Sequence, residues 1–420
     1  MVSYWQMRYE AWKTSLVRTL LTFVSGLGCN GRMTNTIVSA DAHILEPPDI
    51  WAYWLPARYQ DKAPQLAKDA DGGDAWLFAG AAEADPIGLT ATPGMPWDQF
   101  RWTGVTYDEA RDGCYRGAAR LDDMDADGVH AEVLFPPQRT IGHFLGDDDD
   151  DFVRAGVDAY NAFLWEEFCA PDRNRLIGVA QIPSTGIDDA VDAVRKAKAT
   201  GFRSVVISMW PSGKDSISED DDAFWAAAAD EAMPVCIHIN MISRRARAKA
   251  REISAKRGGR QLYGSGSGQA GAKAAAGLSG VFSTVPSTIG QLIFTGVFER
   301  FPGLHVAMIE TGVGWIPHFL EQMDDRFWRN RSWADLPIAR PPSEYWFSNM
   351  SASFVRDDVG IRLRHEVGVA NMMWSTDYPH HGNDWPRSRK TINETMAGVP
   401  ADERAAIVCG NATRIFGLGD

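Results

Sequence analysis

From residue 36 onward, short apolar runs rich in β-forming residues alternate with longer stretches of helical spacing. The runs fall at residues 36–40, 131–135, 176–181, 204–208, 235–239, 305–309 and 371–374. Between them, residues 187–199, 222–232, 290–300 and 316–326 repeat their apolar side chains at helical intervals. Such alternation marks βαβ units, because parallel neighbouring strands need a crossover long enough to hold a helix. Seven runs are clear and residues 346–352 can supply an eighth. The pattern therefore predicts an α/β chain folded as a (β/α)8 TIM-type barrel with loop insertions. An open doubly wound sheet is the other solution of the same pattern. No glycine-rich phosphate loop follows the first run, which counts against a nucleotide-binding version of the open sheet.

At 420 residues the chain exceeds an average domain, but α/β barrels run long as single units. It shows no internal repeat and no domain-sized linker, so one elaborated domain over residues 33–420 is expected. Residues 1–32 read as an extension outside the core. Their apolar stretch at 16–24 is interrupted by Arg18 and falls short of the roughly 20 residues that span a bilayer. Met33 would then be the natural start; a secretion signal or a docking helix are the alternatives. Two insertions break the rhythm. Residues 60–116, rich in Gly, Pro, Asp and Trp, read as a loop excursion with a small hairpin. Residues 241–280 carry nine basic side chains from Arg244 to Lys273 and one acid, Glu252. The acidic run at 147–151 suits a solvated helix N-terminus, where carboxylates favour the dipole.

The net charge of −13 argues against nucleic acid, which needs a basic face, and against an anionic membrane surface. Five scattered cysteines, Cys29, Cys114, Cys169, Cys236 and Cys409, form no CxxC motif. Odd in number, they fit reduced thiols in a cytoplasmic protein better than a disulfide framework. The charge is uneven, with +8 on the 241–280 insertion and −21 elsewhere.

Polar residues at the ends of the apolar runs carry the candidate chemistry. Asp41 and His43 are two apart on a strand, so both point to one face. His238 closes the run Val235-Cys236-Ile237, and Asp377 follows Met372-Met373-Trp374. In a barrel these positions meet at the carboxyl-terminal mouth of the strands. Two histidines and two aspartates suit one divalent ion, Zn²⁺ first and Mn²⁺ second, with water in an open position. Singly, each signal has a plain structural reading: a strand-end polar pair, a hydrogen-bonded histidine, a turn.

The segments Asp41-Ala42-His43-Ile44-Leu45-Glu46-Pro47-Pro48, 120–125, 293–302, 375–380 and 410–418 together resemble the amidohydrolase-2 branch of the amidohydrolase superfamily. That branch includes 2-amino-3-carboxymuconate-6-semialdehyde decarboxylase and aromatic-acid decarboxylases. The resemblance brackets residues 36–418 and implies a (β/α)8 barrel with a mononuclear metal held by Asp41, His43, His238 and Asp377. Many members begin with HxH, whereas this chain places Asp41 first. The decarboxylases resembled carry a histidine at the end of the sixth strand, and here Glu310 stands in that place. Glu310 then serves as a general acid or base, or as a structural carboxylate holding a loop. His380 is a candidate substrate contact or partner of Asp377, or an exposed loop histidine.

The basic insertion follows His238. It reads as a lid that attracts a small anionic substrate, or as a solvated or subunit-contacting loop. Arg139 and Trp210, just beyond the second and fourth runs, are candidate carboxylate and ring contacts, with barrel packing as the alternative for Trp210. Two activities follow as expectations. One is non-oxidative decarboxylation of a small aromatic or unsaturated acid, with Asp377 and either Glu310 or His380 moving the proton. The other is hydrolysis of an amide, ester or C–C bond by metal-activated water with Asp377 as base. A homodimer or higher homo-oligomer is implied by the resemblance.

Overall fold

The computed structural model describes residues 36–418, apart from residue 240 and most of 243–278. The extension at 1–32 and most of the basic insertion lie outside the described residues. Eight stretches of parallel strand line the chain: β1 (Val38–His43), β2 (Ala131–Phe135), β3 (Leu176–Gly178, continued as Ala180–Gln181), β4 (Val205–Ile207), β5 (Val235–His238), β6 (Val306–Ile309), β7 (Met350–Phe354) and β8 (Met372–Trp374). Each pairs in parallel with the next, β1 to β3 in one run and β3 to β8 in the other. The ring closes where the chain leaving β8 returns beside β1. There His43 N–H donates to the Tyr378 carbonyl at 2.6 Å and Asp377 N–H to the Asp41 carbonyl at 3.0 Å.

Every residue of these strands is buried. A barrel stave is covered on both faces, by the interior and by the helical ring, which is why these strands read as continuous apolar runs instead of alternating ones. Helices Ile187–Thr200, Asp222–Asp230 and Ile316–Asn330 match the expected spacing. Asp149 caps the helix Asp150–Phe163, accepting from the Phe152 N–H, so the acidic run does begin a helix.

Three boundaries differ from the sequence reading. Residues 346–349 close a helix, Pro342–Asn349, and β7 starts only at Met350. The aromatic side chains there mimic a strand, but Pro342 opens the helix at its first turn, where a missing N–H costs nothing. Trp346 is buried and donates to the Val367 carbonyl at 2.8 Å. The stretch 290–300 splits into Val285–Phe294 and Val297–Arg300, because Gly296 adopts φ +77° between them. The first strand lies two to three residues later than its apolar run, at Val38–His43, so Asp41 and His43 belong to the strand itself.

The insertion at 60–116 builds a three-stranded antiparallel sheet from Gln65–Lys68, Asp74–Leu77 and Asp85–Pro86. It is fastened over the barrel mouth: Arg139 pairs with Asp85 at 2.9 Å, and His381 N–H donates to the Leu89 carbonyl at 3.0 Å. Among the described residues no helix is long and apolar enough to cross a membrane.

Candidate metal centre

The parallel order of the strands puts all their carboxyl ends at one mouth, and six polar side chains meet there. Asp41 and His43 come from β1, His238 from β5, Glu310 from the first residue after β6, and Asp377 and His380 from the segment after β8. A register irregularity between Ser39 and Ala42 gives β1 one residue more than β2 at this end. Such a bulge re-aims side chains at a strand end.

Backbone strain gathers at the same places. Ile239, Glu310 and Asp377 all hold left-handed φ values of 59°, 57° and 57°. This conformation costs a non-glycine residue roughly 1–2 kcal/mol and persists where surrounding structure enforces it. Here the enforcement is visible: Ile239 N–H donates to the Ile309 carbonyl at 2.9 Å, Glu310 N–H to Ser353 Oγ at 2.8 Å, and Asp377 N–H to the Asp41 carbonyl.

The imidazoles of His43 and His238 bring their Nε2 atoms to 3.0 Å of each other. Asp41 Oδ1 lies 3.6 Å from His43 Nε2 and 3.4 Å from His238 Nε2. Asp377 Oδ1 stands 3.5 Å from His43 Nε2, and Glu310 Oε2 stands 3.6 Å from His238 Nε2. His380 stacks flat on His43, with ring centroids 4.2 Å apart, and its Nδ1 reaches Asp377 Oδ1 at 3.3 Å. One ligand atom each from Asp41, His43, His238 and Glu310 falls within 4.8 Å of the others; the same holds for His43, Glu310, Asp377 and His380.

Burial and crowding set the protonation of this group. Desolvation, with the neighbouring His380 and His238, holds His43 well below the ordinary imidazole range. Desolvation also lowers His238, against the opposing pull of Glu310 and Asp377. Both rings are therefore neutral near pH 7 and offer lone pairs. Burial and the charge of Asp377 push the carboxyls of Asp41 and Glu310 well above their usual range. Burial pulls His380 down, but the charge and hydrogen bond of Asp377 outweigh it and leave its pKa raised.

Asp41 is fully buried, yet among the described residues neither carboxylate oxygen has a hydrogen-bond donor. Orphaned buried carboxylate oxygens facing two neutral imidazole nitrogens form a donor set that fits a divalent cation. A shell of hydrogen bonds holds the donors in place. Arg120 donates to Glu132 at 2.8 Å, to the His43 carbonyl at 2.6 Å and to the Gly113 carbonyl at 2.6 Å. Its guanidinium lies 4.3 Å from the Tyr378 ring, whose hydroxyl donates to Asp123 at 2.5 Å.

Arg139 and Trp210 belong to neither group of closely spaced ligand atoms, although the charge of Arg139 acts on His380. Arg139, on the helix Gln138–Leu145, is engaged by Asp85, the Pro86 carbonyl and the face of Trp102 at 4.9 Å. Trp210 is 4% exposed and packs edge-on to Trp225, with centroids 6.4 Å apart. Two residues escaped the sequence reading. Phe135, the last residue of β2, lies 5.3 Å from the His238 ring and 6.5 Å from His43. Glu46 is buried, accepts from the Thr140 hydroxyl, and is pushed up to about 7 by desolvation. The place of Phe135 at the end of an apolar run was a usable signal for the first; nothing local marks the second.

A family model described as Amidohydrolase matches residues 40–418. The chain belongs to the amidohydrolase family. Its sequence is 25% identical over 329 residues to the decarboxylase OrsB of Emericella nidulans, covering 76% of this chain and 87% of that protein. In structure it is similar to the amidohydrolase map2389c of Mycobacterium avium subsp. paratuberculosis, at 18% identity and a TM-score of 0.66 over 91% of this chain and 99% of that one. It is also similar to the 5-carboxyvanillate decarboxylase of Novosphingobium aromaticivorans, solved with manganese and 4-hydroxy-3-methoxy-5-nitrobenzoic acid, at 16% identity and a TM-score of 0.61 over 93% and 98%. The family match and these likenesses agree with a (β/α)8 barrel for this amidohydrolase.

Proposed function

We propose that this amidohydrolase is a metal-dependent, non-oxidative decarboxylase of a small aromatic carboxylic acid. The observation that carries the reaction class is the sequence relationship to a decarboxylase across most of both chains. The side chains at the barrel mouth are consistent with it. Asp41, His43 and His238, joined by Asp377, would hold one divalent ion, which when bound supplies a Lewis-acid anchor for substrate oxygens. Zinc suits the two imidazoles and two carboxylates; manganese, present in the similar 5-carboxyvanillate decarboxylase, is the other choice.

Decarboxylation needs one proton at the ring carbon that loses carbon dioxide. The carbon–carbon bond breaks, its electron pair stays on the ring, and the proton replaces the carboxylate. The Asp377–His380 pair is built to hold and deliver that proton, since the two side chains are in contact and the imidazole retains its proton more strongly than a free histidine. Phe135 offers an apolar ring beside the site, and Arg139 is the candidate contact for the substrate's negative charge, with Trp210 acting through packing from further out.

A hydrolytic reading rests on one observation: Glu310 stands where the decarboxylases resembled carry histidine, and an acid there with Asp377 can serve water activation. The two readings separate when a panel of aromatic acids, amides and esters is incubated with the metal-loaded enzyme in ¹⁸O-water. Decarboxylation releases CO₂ and leaves no ¹⁸O in the organic product; hydrolysis incorporates it.

Residues 33–420 act as a single unit in this reading, with 1–32 outside it. The four described cysteines, Cys114, Cys169, Cys236 and Cys409, are buried thiols joined in no disulfide, which agrees with a reducing, cytoplasmic setting. Exposed Tyr53, Trp97 and Trp333 offer apolar surface for a homodimer or higher homo-oligomer.

A further inference from the structure

We infer that Glu310 is itself a ligand of the divalent ion, a third carboxylate donor beside Asp41 and Asp377; the inference rests on the metal-centre reading above. Three observations carry it. First, Glu310 is the carboxylate common to both groups of closely spaced ligand atoms. It shares one with Asp41, His43 and His238, and the other with His43, Asp377 and His380. Second, its backbone is held from outside the site. Ser353 Oγ accepts the Glu310 N–H at 2.8 Å, and Asp357 accepts the N–H groups of Val313 and Gly314, both at 2.7 Å. These bonds lock the turn that keeps Glu310 at φ 57°. Third, the side chain is not used for that purpose. Among the described residues no hydrogen-bond donor is assigned to its carboxylate, and its contact is His238 Nε2 at 3.6 Å. A carboxylate that served to hold a loop would accept that loop's N–H groups, as Asp357 does. Glu310 instead has its main chain fastened and its oxygens directed to the group that His238 faces.

With Glu310 included, the donors are two imidazole nitrogens and carboxylate oxygens from three residues. An oxygen-rich set with more than four donors suits Mn²⁺ better than a four-coordinate, nitrogen-rich set does, while Zn²⁺ is content with four. Glu310 would then raise the affinity for manganese relative to zinc, and Asp377 would be freer to share a proton with His380.

The test is metal binding to apo-protein, read by calorimetry and elemental analysis for Mn²⁺ and Zn²⁺ separately, with no substrate present. Glu310→Ala should weaken Mn²⁺ binding by at least about tenfold and Zn²⁺ binding less, so that the affinity ratio moves toward zinc. Glu310→His, which returns a nitrogen donor, should recover zinc binding but not the manganese preference. Circular dichroism checks that each variant is folded, and Ser353→Ala provides a second route by releasing the Glu310 backbone without touching its carboxylate. Unchanged Mn²⁺ affinity and an unchanged ratio in folded Glu310→Ala would overturn the inference. His43→Ala serves as the control for the underlying reading: if it too binds metal normally, the metal centre itself is misplaced, whereas loss in His43→Ala with none in Glu310→Ala removes Glu310 alone.

Discussion

At the scale of single residues, the site is a set of groups that burial keeps from their ordinary charge states. Burial favours the neutral form of His43 and His238, the form a metal ligand needs; if they hold the ion as proposed, replacing either by alanine should lower bound metal by more than about tenfold, measured by elemental analysis after dialysis. Glu46 shows the effect in a form that stability can read. Its folded pKa is about 7 against an ordinary 4.5, chiefly through desolvation. The folded state therefore binds the proton more tightly than the unfolded chain does. Stability from this group is complete below pH 4.5 and is lost as pH rises through about 7, by roughly 3 kcal/mol in all. Glu46→Gln keeps an acceptor for Thr140 and removes the titration. Denaturant unfolding of the variant should lose less stability between pH 4.5 and 8 than the parent; parallel pH profiles would show that Glu46 is not held protonated.

Among the elements, the closure of the ring matters most, because β1 and the chain after β8 carry Asp41, His43, Asp377 and His380 between them. Ser39 and Thr376 join the two through hydroxyls 3.0 Å apart, and Arg120 joins β1 to β2 through His43 and Glu132. Arg120 is fully buried, so Arg120→Ala leaves Glu132 as an unpaired buried charge and should cost about 3–5 kcal/mol. Arg120→Ala combined with Glu132→Gln should be less destabilised than the single change, and an additive pair of effects would contradict the account. The site positions were legible in the sequence because a barrel stave is an apolar run that stops near where chemistry begins: His238 ends its strand, Asp377 follows shortly after one, and Asp41 stands where the apolar run stops although the strand itself continues to His43. The helix Pro342–Asn349 was not, since its aromatic side chains pack as strand residues do and only the proline pair marks its start. Nor were the left-handed residues after β5 and β6, because the positions that adopt the turn are Ile239 and Glu310, types that do not favour it, while Asn240 and Gly312 stand one and two residues further on. The fastening of Arg139 to Asp85 joins residues 54 apart in the chain, and such contacts leave no local period to read.

The whole molecule combines an acidic barrel with one strongly basic insertion that follows β5. If that insertion gathers an anionic substrate at the mouth, deleting residues 244–273 should raise KM for carboxylates several-fold. The deficit should shrink at high salt, where the parent also loses the attraction. Steady-state kinetics at two ionic strengths reads this, and an unchanged KM would assign the insertion no part in substrate capture. The same deletion should leave the metal content unaltered, because none of the six clustered side chains comes from it.

The central claim is that metal held at the mouth of this barrel serves carboxylate loss from an aromatic acid. It is tested most directly by incubating metal-loaded enzyme with hydroxylated benzoic acids in deuterated water and following CO₂ together with the ring proton spectrum. The account predicts one CO₂ released for each deuterium placed on the carbon that bore the carboxylate, with both signals abolished in His43→Ala. Turnover of amides or esters with no CO₂ from any acid would contradict it.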